Sequence, residues 1–250
     1  MNKKIKDMKQ IKILGQMFFL SLCIVCIMLL SLNGQETVPS NLAFNKLKEG
    51  NSRFFEGKST HSNISSEVRK ETSDKGQHPY ATIISCSDSR VPVEYIFDAG
   101  IGDLFVVRVA GNVVDTDEIG SIEYGIGHLH TPVLVVLGHT KCGAVTAVVN
   151  NASLSGSIPK LVDNISPAVA KAKQKVKTHN HESHDILDIA IEMNVWQSIE
   201  DLLKNSHEAV ELVKERKLKI LGAIYDIESG KVEWLGEHPK QESLLSGTHH

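Results

Sequence analysis

The chain has 250 residues, 41% of them hydrophobic, and a formal charge of −3 from 27 lysines and arginines against 30 aspartates and glutamates. That length suits one domain of about 200 residues plus extensions, and the charge balance excludes a nucleic-acid binder, since no dense basic run occurs beyond the first residues. Of four cysteines, two lie in an N-terminal apolar segment, which leaves no disulfide framework for a folded domain.

Lys3, Lys4, Lys6, Lys9 and Lys12 stand against a lone Asp7, and Ile13 to Leu32 then runs without a charge. A basic stretch ahead of an apolar one predicts a signal peptide or an uncleaved membrane anchor within residues 1–34. Its length, close to a bilayer span, does not separate the two. The lysines are expected to stay inside. Residues 35–250 are then exported, periplasmic or otherwise extracytoplasmic, and held to the inner membrane only if the segment is kept. Cys23 and Cys26 share a C-x-x-C spacing, but thiols in an apolar run are inert.

Ser40 or Asn41 is suited to cap a helix carrying Leu42, Phe44 and Leu47. Residues 57–79 read as polar connection, broken by Gly57, Gly76 and Pro79. Ala81 to Ser85 is an apolar, β-branched strand. Glu94 to Phe97 is a short helix or turn, and Leu104 to Val109 is a second strand ending at Ala110-Gly111-Asn112. Ile119 to Leu129 is helical, Pro132 to Gly138 is a third buried strand, and Gly143 to Asn150 opens another helix. Residues 151–183 are surface helix and loop, with His179, His181 and His184 in a solvated stretch. Ile186 to Val213 keeps a helical period. Leu218 to Tyr225 is the last central strand, and Val232 to Leu235 returns beside it after a turn. Strands alternating with helices predict an α/β domain over residues 35–237, a mostly parallel sheet flanked by helices with an antiparallel edge strand. Residues 238–250 are expected to be a disordered tail.

Two of these strands end in residues that carry chemistry. The first runs into Cys86-Ser87-Asp88-Ser89-Arg90 and the third into His139-Thr140-Lys141-Cys142-Gly143. Ligands of parallel sheets bind beyond the carboxyl ends of strands, so Cys86, His139 and Cys142 make a Cys2His set for zinc. Three protein ligands leave a catalytic site open and four close it. Asp88 decides between them: bound to the metal it fills the sphere, and paired with Arg90 it leaves a position for water. A structural zinc module without turnover is the alternative from a different class.

These motifs resemble those of the β-class carbonic anhydrases. The likeness extends from about Ala43 to Leu235 and takes in Glu49 to Phe54, Gly102 to Asn112 and Ser121 to Tyr124. It implies reversible hydration of carbon dioxide to bicarbonate and a proton by a zinc-bound hydroxide, with one Zn²⁺ per chain on Cys86, His139 and Cys142. It also implies an Asp88–Arg90 dyad that frees or blocks the fourth position. Gln77 would orient substrate, Gly143 would offer its N–H, and Phe105, Ala110 and Tyr124 would line an apolar pocket. The family implies a homodimer or tetramer, with an N-terminal helical arm over roughly residues 40–56. Ile83 stands where bicarbonate-regulated members carry tryptophan, although Arg108 matches another member of that regulatory site. Hydrolysis of CS2 or COS, which some relatives perform, is the rival reading among enzymes.

Overall fold

The computed structural model describes residues 38–61, 63–179 and 186–247. The apolar run 13–32, with Cys23 and Cys26, and the side chains of His179, His181 and His184 lie outside them. Among the described residues no helix is long and apolar enough to cross a membrane. This corrects the expectation of inner-membrane attachment, and with it the extracytoplasmic location: among the described residues nothing supports either, and the segment on which both rested, as signal peptide or anchor, lies outside them.

Five strands form one sheet in the order β2-β1-β3-β4-β5. They are β1 (Ala81–Ser85), β2 (Leu104–Arg108), β3 (Val133–His139), β4 (Lys219–Tyr225) and β5 (Val232–Gly236). The first four are parallel and β5 pairs antiparallel with β4, as expected. All residues of β1 and β3 are buried, the pattern of strands covered on both faces.

One face packs α1 (Ser40–Phe55) and the single turn α3 (Val93–Ile96) through Ala43, Leu47, Val93 and Ile96. Ahead of α3 lies α2 (Ser66–Lys75), which buries none of its residues. The other face packs α4 (Thr116–Glu123), α8 (Ile186–Asn205) and α9 (His207–Lys214) through Ile122, Ile199, Leu202 and Val210. Between them come α5 (Gly143–Val149), α6 (Ile158–Val162) and α7 (Ser166–His179), and α10 (Gln241–Ser246) follows β5. The chain end is thus partly helical where disorder was expected, and Leu244 and Leu245 pack on the second cluster.

A long helical run was expected from Ile186 to Val213. It divides at Ser206, whose hydroxyl accepts the Ala209 N–H at 3.1 Å and so caps α9. α8 lies close on the sheet because Gly138 and Gly222 lack side chains. A Cβ on Gly138 would come within 2.7 Å of Val195, and one on Gly222 within 2.9 Å of Trp196. That approach brings α8 against the end of β3, where His139 stands.

Candidate metal centre

The register sets the site. Ser85 of β1 lies opposite Leu137 of β3, so Cys86 and His139 leave neighbouring parallel strands at the same end of the sheet. Cys142 follows after a tight turn in which Lys141 takes φ +57°, and it stands at the N-cap position of α5 without a side-chain cap bond. The Cys86 and Cys142 sulfurs and an imidazole nitrogen of His139 all lie within 4.8 Å of one another, and all three residues are buried.

The imidazole is already set for a cation. Its Nδ1 lies 2.9 Å from the Thr140 carbonyl oxygen. A carbonyl only accepts, so Nδ1 carries the proton and Nε2 presents a lone pair. Nε2 is buried with no hydrogen-bond partner, a costly state for a polar atom unless something positive meets it.

The sulfurs behave as a pair. The Cys86 thiol is held well below its ordinary range, first by the hydrogen bond from Cys142 and also by the Gly111 N–H, against the effect of burial. Cys142 is pushed up because it gives that hydrogen bond and lies buried beside a negative sulfur. Without a cation the two sulfurs hold on to one proton; a cation lets both ionise. The three residues therefore fit a soft or borderline divalent metal by donor type, burial and orientation.

Asp88 stands at the edge of this cluster, its Oδ2 3.9 Å from His139 Nε2. Arg90 engages both of its oxygens, Nε to Oδ1 at 2.9 Å and Nη2 to Oδ2 at 2.7 Å. The Arg90 backbone N–H adds a third bond to Oδ1 at 2.9 Å. The guanidinium beside it holds the Asp88 carboxyl well below the usual carboxylate range. Arg90 also reaches the Lys141 carbonyl at 3.3 Å, which ties the two motif loops together.

Other expected residues divide by position. Ala110 precedes Gly111, whose N–H lies 3.2 Å from the Cys86 sulfur. Gly143, at the start of α5, borders open space, since nothing lies within 4 Å of a Cβ built on it. Gln77, Phe105 and Tyr124 are elsewhere. Phe105 pairs in register with Thr82, four residues before Cys86, or about 13 Å back along the strand. Tyr124 packs on Phe105 with ring centroids 5.8 Å apart. Gln77 lies on the exposed lead-in to the amino end of β1. The fold does not bring these three to the chain's own cluster.

Two further groups belong to the site's frame. Arg108 donates from Nε to the Cys86 carbonyl at 3.2 Å and from Nη2 to the Asp88 carbonyl at 2.7 Å. It braces the motif loop, where the sequence suggested only a regulatory match. Asn194 and Ser198 were missed altogether. Their signal was two polar residues on the face of α8 that carries Ile191, Val195, Ile199 and Leu202, all buried.

A family model described as carbonic anhydrase matches residues 81–232. Carbonic anhydrase 2 of Mycobacterium tuberculosis is 36% identical over 193 residues, which cover 76% of this chain and 89% of that protein. The carbonic anhydrase of Mycolicibacterium smegmatis is 33% identical over 195 residues, 76% of this chain and 91% of that one. Among solved structures, a tetrameric β-carbonic anhydrase of Sordaria macrospora superposes with a TM-score of 0.62 at 26% identity, covering 77% of this chain and 96% of that chain. The β-carbonic anhydrase CafA of Aspergillus fumigatus gives the same TM-score at 28% identity, covering 72% and 89%.

Proposed function

Since the chain belongs to the β-class carbonic anhydrases, we propose that Cys86, His139 and Cys142 hold one zinc ion per chain, with Asp88 and Arg90 controlling access to its fourth position. The reaction is CO2 + H2O ⇌ HCO3⁻ + H⁺. When bound, zinc supplies Lewis acidity, which lowers the pKa of water and makes it a nucleophile at neutral pH. The observation that carries this reading is the buried, unpartnered Nε2 of His139 beside two sulfurs.

The residues of the chain divide the work. His139 offers Nε2 because Thr140 fixes its tautomer. Arg90 grips both oxygens of Asp88 and so keeps the carboxylate from filling the fourth position. Ionised Asp88, close to the site, accepts a hydrogen bond there but cannot donate one. It therefore orients a bound O–H while its negative charge stays neutralised by Arg90. Because Arg90 keeps Asp88 ionised across the working range, pH acts on what competes with the carboxylate for that position. With a metal held there, Asp88 would ligate it at low pH and would pair with Arg90 at higher pH, leaving the position to solvent. Gly143, in the first turn of α5, has an N–H with no acceptor inside the helix, and we assign it to a substrate oxygen.

Phe105 and Tyr124, with Gln77, supply the apolar wall and an orienting amide to the cluster of a second copy, because their own lies too far along the strand. The chain accordingly self-associates as a dimer or a tetramer. The Sordaria relative, which is tetrameric, supports this.

Stopped-flow hydration of carbon dioxide on the full chain, with zinc counted per chain, tests the assignment. One zinc per chain and activity lost with the metal are expected. Zinc binding with no hydration at any pH from about 6 to 9 would favour a structural centre.

A further inference from the structure

The Ala110–Asn112 turn donates an N–H to a metal-site sulfur, and one backbone bond, from the Asn112 N–H to the Val109 carbonyl at 3.1 Å, closes it from within. Gly111 has φ +75° and Asn112 φ +46°, two left-handed residues in succession. Glycine is the residue least able to fix its own peptide planes. The Asn112 N–H bond leaves the Gly111 carbonyl to be held from outside the turn.

α8 does this from behind the sheet. Asn194 donates from Nδ2 to the Gly111 carbonyl at 2.7 Å. One turn further on, the Ser198 hydroxyl lies 2.9 Å from the Asn112 carbonyl. Asn194 is 1% exposed and Ser198 2%. An amide buried among isoleucines and valines is costly to desolvate, and the Asn194 side-chain oxygen has no hydrogen-bond partner among the described residues. An apolar side chain of the same size would serve packing better. The one return on placing asparagine there is its hold on the peptide that follows Gly111. A Cβ on Gly111 would lie 2.6 Å from Ile165 Cδ1, so this place in the turn has no room for a side chain.

We propose that Asn194 is a positioning residue of the metal centre: its bond pins the carbonyl of the Gly111–Asn112 peptide, whose N–H is held by the Val109 carbonyl at 3.1 Å, and so clamps the turn that carries the Gly111 N–H, one peptide earlier, onto the Cys86 sulfur. This rests on the zinc reading above. An N–H aimed at a thiolate draws off part of its charge and sets the direction of its remaining lone pairs. Partners of this kind behind metal ligands change metal affinity by about 10–100-fold.

The test uses full-length Asn194→Leu and the milder Asn194→Ser. Leu202→Ala is the control, a fully buried residue of the same helix without a bond to the turn. Two readouts are independent of turnover: the zinc dissociation constant by competition with a chromophoric chelator, and the sulfur-to-metal charge-transfer band after cobalt substitution. Both asparagine variants should bind zinc about 10–100-fold more weakly and shift the band. Leu202→Ala should move neither at a comparable loss of thermal stability. If Asn194→Leu fails to fold, Asn194→Ser decides. Parental affinity and band in the asparagine variants, or equal changes in the control, would overturn the proposal. Those results leave the zinc reading intact, whereas a parent chain that takes up no zinc overturns both.

Discussion

At His139 a fully buried imidazole has one nitrogen committed to a carbonyl and the other without a partner. His139→Ala should therefore abolish hydration and leave the chain unable to retain zinc, read as metal content after dialysis. In the parent, a chelator should lower the thermal midpoint and added zinc should restore it, since metal bound only by the folded state stabilises that state. A midpoint indifferent to chelator would remove the metal from the account of stability. Asp88→Asn takes away the anion that competes for the fourth position while keeping the side chain's shape. Its pH–rate profile should lose the acid-side decline of the parent, and an unchanged acid limb argues against the gate. Cys86, His139, Cys142, Asp88 and Arg90 were legible in the sequence because each is a chemically distinctive type placed just after an apolar run. Asn194 was not, because its meaning depends on which carbonyl faces it, and that carbonyl is 83 residues away.

Elements with an apolar period were found, and those without one were not. β1, β3 and β4 are announced by branched residues, but α2 has no buried residue and so no period to find. It is held by the Ser65 cap on Val68 and by the exposed pairs Lys70–Asp74 and Lys75–Glu71, each worth only a few tenths of a kcal/mol. The break at Ser206 hid for the opposite reason, since the period continues through it. Ser206→Ala should cost about 1 kcal/mol in chemical denaturation, and somewhat more for the Glu123 carboxylate it also binds at 2.6 Å. A loss within error would show that α9 starts without its cap. The connection ahead of α2 is pinned at Asp98, a side chain with no exposed surface. It accepts the Thr60 and His61 N–H groups at 3.0 Å and pairs with Arg53 at 2.6 Å. Burial pushes this carboxyl up, but Arg53 and the two N–H groups outweigh it and leave the group below the carboxylate range. A folded pKa below the unfolded value gives stability that is full above about pH 4 and is lost as pH falls toward the folded value. Asp98→Asn should cost about 1–3 kcal/mol at pH 7, and its gap to the parent should narrow below about pH 4. A gap that stays constant with pH would contradict this.

Across the whole molecule, the residues we assign to the reaction fall at two places along the sheet. The metal cluster sits beyond the carboxyl ends of β1 and β3, while Phe105 and Tyr124 gather near Thr82. If two copies complete each other, Cys142→Ser and Tyr124→Ala chains should each be impaired alone and partly active when refolded together. Mixed pairs then contain one site with both a whole cluster and its tyrosine. A mixture no better than its parts would place the aromatic pair outside catalysis. The α/β class, the parallel sheet and its antiparallel edge could be read from strand spacing. Which residues share one site could not, because sequence places Phe105 only three residues before Arg108, while register separates their tasks. The two halves of the cluster also have a temporal consequence. Cys86 and His139 meet only when two parallel strands, joined by a crossover of nearly fifty residues, have found each other. Such distant pairings are slow to form because loop closure comes before the contacts that reward it, so uptake of an added ion would follow them, and a dye that reports zinc leaving solution would serve as a clock for β1–β3 closure.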